Sequence, residues 1–286
     1  MSESAGRPWP APAKLNLFLH ILGRRPDGYH ELQTCFQFVD LCDEITIRVR
    51  TDGSIHRTSG AAGVAAEADL CVRAARALQA AAGSAHGADI GVTKRIPMGA
   101  GLGGGSSDAA TCLIALNHLW GLKASVAELA AIGLKLGADV PVFVHGRTAW
   151  AEGVGERLTP LEPPLAPPEA NYLIVKPNVF VSTQEVFQDP ELTRNSRPIT
   201  IHGFLASGGG NDCVGVVRRR YPEVARAMDW LSRFGEVRLT GTGACIFIAC
   251  GVAEGRDIMD KLPRTYEAFL VRARNVSPVI ERLAAG

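Results

Sequence analysis

The densest chemistry in the chain lies between Pro97 and Ala110, which reads Pro-Met-Gly-Ala-Gly-Leu-Gly-Gly-Gly-Ser-Ser-Asp-Ala-Ala. Five glycines fall between Gly99 and Gly105, directly ahead of an apolar helical segment. Glycine lets a backbone approach a polyanion closely and accepts positive φ. A helix start adds unpaired N–H groups and the positive end of a dipole. The Ser106 and Ser107 hydroxyls can donate to phosphate or help to position a metal. The segment therefore reads as a phosphate-binding loop. It is not a Walker A loop, because no Gly-Lys-Ser/Thr ends it. It sits too far along the chain for a first-unit dinucleotide fingerprint. The His-Arg-Asp and Asp-Phe-Gly signatures of protein kinases are absent. A side chain added at Gly103 is expected to obstruct phosphate at little cost to the unliganded fold.

Five other segments carry groups at suggestive spacings. In Pro12-Ala-Lys-Leu-Asn-Leu17, Lys14 and Asn16 share one face of a strand. In Leu136-Gly-Ala-Asp-Val-Pro-Val-Phe143, Asp139 precedes an apolar run. Alone, the first pair reads equally as a solvent face and the second as a turn or N-cap aspartate. Tyr29 and His30 follow a Pro-Asp-Gly turn, and Phe187 follows the capping signature Ser182-Thr-Gln-Glu185. A glycine turn, Thr240-Gly-Thr-Gly-Ala244, lies between two apolar runs.

The elements that must hold these groups are mixed. Alternation from Lys14 to Leu22 predicts a half-buried strand, and Ile45, Ile47 and Val49 mark a second. A helix is predicted over Asp69–Ala82, stopped by Gly83, and another from about Ser107 to Trp120. A short strand over Ile90–Lys94 leads into the glycine loop. Ser125 to Glu128 opens a helix expected to end at Gly137, and Thr148–Leu158 reads as a hairpin. The second half predicts a strand at Tyr172–Val175 and helices over Asp212–Arg220 and Glu223–Phe234. Strand, glycine turn and strand follow over Arg238–Cys250, then a helix and a closing strand at Phe269–Arg274. Five of the 17 prolines fall between Pro160 and Pro168, a stiff connector that places a domain boundary there. The fold class is α+β.

Composition excludes several functions. The 286 residues carry a net charge of +1, which gives no general attraction to nucleic acid or anionic lipid. No apolar run is long enough to span a membrane, and the N-terminal residues lack the apolar core of a secretory signal. Seven scattered cysteines without a Cys-x-x-Cys pair fit reduced thiols in a cytoplasm, and no metal-ligand spacing appears among the histidines.

Taken together, Pro12–Asn16, the Pro97–Ser107 loop and Leu239-Thr-Gly-Thr-Gly-Ala-Cys245 resemble the signature segments of the GHMP kinases. These are the galacto-, homoserine, mevalonate and phosphomevalonate kinases. Arg25-Pro-Asp-Gly-Tyr-His-Glu-Leu32, Leu136–Phe143 and Glu152-Gly-Val-Gly-Glu156 narrow the resemblance to a branch whose substrate carries a cytidine diphosphate group. The resemblance spans about Pro12 to Pro278.

The resemblance implies a two-domain α+β fold. Residues 1–160 would resemble the second domain of ribosomal protein S5 and bind ATP. Residues 161–286 would form a C-terminal α+β domain, with the active site in the cleft between them. It implies ATP-dependent phosphorylation of a small-molecule hydroxyl in isoprenoid-precursor synthesis. Pro97, Met98, Gly99, Ala100, Gly101, Leu102, Gly103, Gly104, Gly105, Ser106 and Ser107 would wrap the ATP phosphates, with Mg²⁺ bound mainly through those phosphates. Asp139 would take the proton from the substrate hydroxyl, and Lys14 would pair with it and stabilise charge on the moving phosphoryl group. Asn16 and Thr183 would hydrogen-bond substrate. Tyr29 would stack on cytosine, His30 would bond to its edge, and Phe187 would cover its other face. Thr240, Gly241, Thr242 and Gly243 form a secondary site at the edge. Asp108 departs from this logic, since a neutral residue suits nearby phosphates better. A related kinase without a base in its substrate would leave Tyr29, His30 and Phe187 unused. A non-catalytic relative would lack Lys14 or Asp139. No nucleic-acid, membrane or obligatory protein partner is implied.

Overall fold

The computed structural model describes residues 7–285. The reading of the first eight residues therefore falls largely outside it.

Two long strands begin the fold. Strand β1 (Trp9–Arg24) turns at Pro26-Asp27-Gly28 into β2 (His30–Arg50), and the two pair antiparallel along most of their length. The turn needs Gly28, whose φ is +89°. The other edge of β2 is shared by three strands in succession. These are β5 (Ala149–Glu152), then β10 (Tyr266–Arg274), then β4 (Gly87–Thr93). Strand β3 (Ile55–Arg57) extends the sheet parallel to β4, and β6 (Arg157–Pro160) makes the expected hairpin with β5. Beyond β10 the sheet continues antiparallel through β7 (Asn171–Pro177), β9 (Ile246–Ala249) and β8 (Arg238–Leu239). One sheet thus runs through both halves of the chain.

Helices cover it. In the first half lie α1 (Leu70–Ala82), α2 (Gly104–Leu119), α3 (Val126–Leu134) and α4 (Val140–His145). The second half adds α5 (Thr183–Gln188), α6 (Ile201–Ser207), α7 (Val214–Arg220), α8 (Pro222–Leu231), α9 (Val252–Asp260) and α10 (Pro278–Ala285). Asp69 caps α1, Gly83 ends it at φ +59°, and Ser125 with Glu128 closes a full capping box on α3.

Several boundaries differ from the sequence reading. Helix α2 starts at Gly104 rather than Ser107, so the last glycines of the loop form its first turn. Glycine is tolerated there because that turn lies outside the helix interior. Helix α3 stops at Leu134, where the Gly133 carbonyl accepts from the N–H groups of Leu136 and Gly137 and turns the chain. Helices α7 and α8 are each shorter than expected, and α10 follows the strand that was expected to close the chain.

Strand β1 is not half-exposed. It feeds three apolar cores: Trp9 and Ala11 one, Ala13, Leu15, Leu17 and Phe18 a second, Leu19 and Ile21 a third. Lys14 and Asn16, on the face that could have met solvent, are 3% and 4% exposed. Alternation reports which side chains are polar, whereas burial depends on what packs above them.

A buried ionic group fixes the base of the glycine loop. Asp43 on β2 is fully buried and accepts from the backbone N–H groups of Arg95 (2.5 Å) and Ile96 (2.8 Å). The Lys94 ammonium pairs with Asp43 and with Asp108 of α2, the latter at 2.7 Å. One cation thus serves two carboxylates, and the other Asp108 oxygen is buried without a partner. Burial, then the nearby Asp43 charge, raises the Asp108 carboxyl from 3.8 to about 7. This explains how an acidic residue is tolerated so near a phosphate loop: burial and Asp43 favour its neutral form, and Lys94 offsets the charge that remains.

A carboxyl raised on folding binds a proton that the unfolded chain has already lost, so its stabilising contribution fades as pH rises toward about 7. Urea unfolding of the wild-type chain and Asp108→Asn is expected to show the wild type losing stability relative to the variant across that interval. Parallel pH profiles would refute this.

Candidate active site

The glycine loop is built by alternation. Gly99, Gly101 and Gly103 line a cleft of about 950 Å³, while Ala100 and Leu102 point into the core at 2% and 1% exposure. The three glycines all have positive φ, between +63° and +75°. Their missing side chains are already accounted for by protein. A Cβ on Gly101 would strike the Thr240 carbonyl oxygen, and one on Gly103 would lie 2.9 Å from the Phe143 ring and 3.1 Å from Lys14 Cε. A side chain at Gly103 therefore strains the unliganded fold as well, contrary to the sequence expectation. Gly104, Gly105 and Ser106 complete the wall, and their N–H groups open the first turn of α2. Pro97 and Met98 border an adjoining recess of about 340 Å³. Ser107 is fully buried, with its hydroxyl unpartnered, and does not line the cleft.

Lys14 sits opposite this wall. Its ammonium donates to Asn16 Oδ1 at 2.6 Å, lies 3.3 Å from Asp139 Oδ2, and stands 5.2 Å above the Phe36 ring. Asp139 occupies the N-cap position of α4 but caps nothing, so its carboxylate stays free to meet Lys14 and the cleft. Its side chain is 36% exposed, against 4% for Lys14. Asn16 is engaged at both ends of its amide, since Nδ2 donates to Thr34 Oγ1 at 3.0 Å and Oδ1 receives Lys14. It orients the lysine, though it also borders the cleft.

The second glycine turn joins the two walls. Thr240 Oγ1 accepts from the Asn16 backbone N–H (3.0 Å) and donates to the Gly101 carbonyl (3.3 Å). Thr242 Oγ1 lies 2.9 Å from Thr183 Oγ1 on α5. Gly241 and Thr242 line the cleft. Gly243 lies behind the turn against Leu239.

Tyr29, His30 and Phe187 gather at the far end of the cleft. Tyr29 is 62% exposed, whereas His30 is 8% exposed and its ring packs on Phe187 with centroids 5.2 Å apart. That separation leaves no slot for a flat ligand between His30 and Phe187. The Glu152–Glu156 segment supports this corner, with the Leu32 N–H donating to the Gly153 carbonyl and Val154 and Gly155 facing the cleft.

Sequence reasoning missed three participants. Thr34 links Asn16 to the Phe18 carbonyl, and as one of several polar residues in its strand it carried no distinguishing signal. Arg194 donates to His30 Nε2 at 3.0 Å, and Phe180 lies over Gly99. Neither stands in a recognisable motif.

The GHMP kinases N terminal domain matches residues 69–147, and the GHMP kinases C terminal domain matches residues 199–268. The 4-diphosphocytidyl-2-C-methyl-D-erythritol kinase of Halorhodospira halophila is 56% identical over 278 residues, which cover 96% of each chain. That of Pseudomonas aeruginosa is 54% identical over 275 residues, again 96% of each. A solved 4-(cytidine 5'-diphospho)-2C-methyl-D-erythritol kinase superposes with a TM-score of 0.79 at 36% identity, covering 92% of this chain and 98% of that one. A mevalonate kinase shares the fold at a TM-score of 0.71 and 16% identity. With the glycine loop, the buried lysine and the free aspartate converging on one cleft, the chain belongs to the GHMP kinase family, in its 4-diphosphocytidyl-2-C-methyl-D-erythritol kinase branch.

Proposed function

We propose that this chain transfers the γ-phosphoryl group of ATP to the 2-hydroxyl of 4-diphosphocytidyl-2-C-methyl-D-erythritol, a step toward isoprenoid precursors. The observation that carries the reading is a single cleft with a glycine-walled end, a Lys14–Asp139 pair and an aromatic end at Tyr29, His30 and Phe187. A substrate with a reacting hydroxyl, a diphosphate and a base needs all three.

Asp139 is placed to accept the hydroxyl proton as the substrate oxygen bonds to phosphorus. The bond from phosphorus to the leaving oxygen of ADP breaks as the new one forms. The Lys14 ammonium faces charge that spreads over the moving group, and the N–H groups of Gly104, Gly105 and Ser106 face the phosphates. Most of the catalysis is positioning, because a loose phosphoryl transition state asks for little covalent help.

The donor set suits a magnesium ion carried on the nucleotide. Among the described residues no cluster of three or more histidine, cysteine, aspartate or glutamate side chains is arranged for a metal. Mg²⁺ commonly keeps several waters and binds through substrate phosphates, and Ser106 and Asp139 are oxygen donors on the same cleft that would help to hold it. No helix among the described residues is long and apolar enough to cross a membrane, and we place the enzyme in the cytoplasm. We also place the division between its domains after residue 160.

Asp139→Asn keeps the side-chain shape and removes the base. A coupled ADP-release assay should show kcat reduced at least ~10²-fold with a nearly unchanged KM for ATP. Turnover close to wild type would refute the assignment. The same assay with mevalonate and homoserine should give negligible rates. Phe187→Ala removes a stacking surface worth about 1–3 kcal/mol per base. It should raise KM for the cytidine substrate roughly 5- to 150-fold and leave that for ATP alone. Equal effects on both substrates would place Phe187 in the framework instead.

A further inference from the structure

His30 faces its environment through two nitrogens with different fates. Nε2 accepts from Arg194 Nε at 3.0 Å, while Nδ1 has no hydrogen-bond partner among the described residues. Three of the four remaining Arg194 N–H donors are also engaged. Its terminal nitrogens reach the carbonyls of Leu192 (3.2 Å), Phe187 (2.9 Å) and Asp189 (2.7 Å). A guanidinium has donors only and does not lose its proton in proteins. The imidazole nitrogen that it faces must therefore be the bare one. In the neutral ring the single proton is then on Nδ1.

We infer that Arg194 is a positioning residue that locks His30 in the Nδ1–H tautomer, making it an obligate donor to the base and thereby selecting cytosine over uracil. The inference rests on the kinase reading given above and adds how the cytosine end is read. At N3 the pairing edge of cytosine presents an acceptor and that of uracil an N–H, whereas O2 is an acceptor in both, so N3 is the atom that the donor must read. A fixed donor bonds with cytosine there and meets a donor on uracil. Sites built on a directed polar contact reject the mismatched partner strongly, because a buried group is left unpaired. The three carbonyl contacts add a second effect, since they hold the end of α5 that carries Phe187.

The surroundings favour the neutral ring. Burial, the Arg194 charge and the Arg24 charge on the paired strand all lower the His30 pKa. The nearest carboxylates on the same hairpin are already paired, Asp27 with Arg25 and Glu31 with Arg25 and Arg157. Phe187, packed on the ring from α5, brings no charge.

The test has two arms. In the first, long-range nitrogen–proton NMR of the histidine-labelled chain without substrate reads which ring nitrogen carries the proton. Wild type should show Nδ1–H, and Arg194→Met should shift a large fraction to Nε2–H. In the second, kcat/KM is measured for cytidine and uridine forms of the substrate between about pH 6 and about pH 8, the interval around the ordinary imidazole pKa. The wild-type ratio should stay flat. Arg194→Met should lose roughly tenfold of that ratio at the upper end, the worth of about one hydrogen bond. The ratio should rise again toward the lower end, as protonation begins to put N–H on both nitrogens. Arg194→Lys, still a donor-only cation, should keep the ratio within about threefold.

An Nε2–H wild type overturns the inference. So does a ratio that Arg194→Met leaves intact, or lowers equally at every pH. A wild-type chain that phosphorylates neither substrate would sink the kinase reading instead, while the NMR arm would still judge the tautomer.

Discussion

Burying an ammonium is the constraint around which the cleft is arranged. Lys14 lies in the middle of a strand with almost no exposure to solvent. An ion taken out of water costs several kcal/mol unless charge and hydrogen bonds replace its hydration. Asn16, Asp139 and the face of Phe36 supply them from one side, and the cleft supplies space on the other. Each of these groups is then fixed in its turn. Thr34 holds Asn16, and Asp139 is released from capping α4. The catalytic geometry is in this sense the solution to a solvation problem.

The two halves of the chain meet through backbone rather than through a greasy interface alone. Beyond Asn16, β1 loses its regular pairing with β2 for a few residues, and loops of the second half attach there. Leu19 exchanges hydrogen bonds with Gly210 and Asp212, and the Asp212 carboxylate accepts from the Ile21 N–H at 2.6 Å. Asn211 in the same loop donates to the carbonyls of Leu239 and Gly241 and so braces the second glycine turn. Thr240 then reaches Gly101. A chain of directed bonds thus connects the strand that carries Lys14 with the loop that faces phosphate. Movement of one half relative to the other would have to break several of them together.

What could be read from the residues differed from place to place for physical reasons. The glycine loop was legible because positive φ and close backbone approach leave few alternatives to glycine. Capping at Ser125 and Ser182 was legible because it is local. The burial of Lys14 and Asn16 was not, since alternation is blind to what covers the polar face. The start of α2 was misread because glycine signals a loop even where a helix begins with it. Arg194 escaped notice because its meaning lies in a contact 164 residues away along the chain. The roles proposed for Lys14, Asp139 and the aromatic trio came from resemblance to a family. The residues by themselves left solvent-face and turn readings open.

Helix α10 carries a consequence for how the protein comes off the ribosome. It packs Val279, Ile280 and Leu283 into the core formed by the first half, and the Arg282 guanidinium rests 3.9 Å from the Trp9 ring. Strand β10 likewise joins β2 in mid-sheet. At about 5–20 residues per second, the interval between synthesis of Trp9 and of Arg282 is roughly a quarter of a minute to a minute. Throughout that time the first half is a sheet with an unfilled edge and a core with its last wall missing. Such unpaired edges invite pairing with other nascent chains. Vectorial synthesis therefore cannot complete the first half before the second has been made.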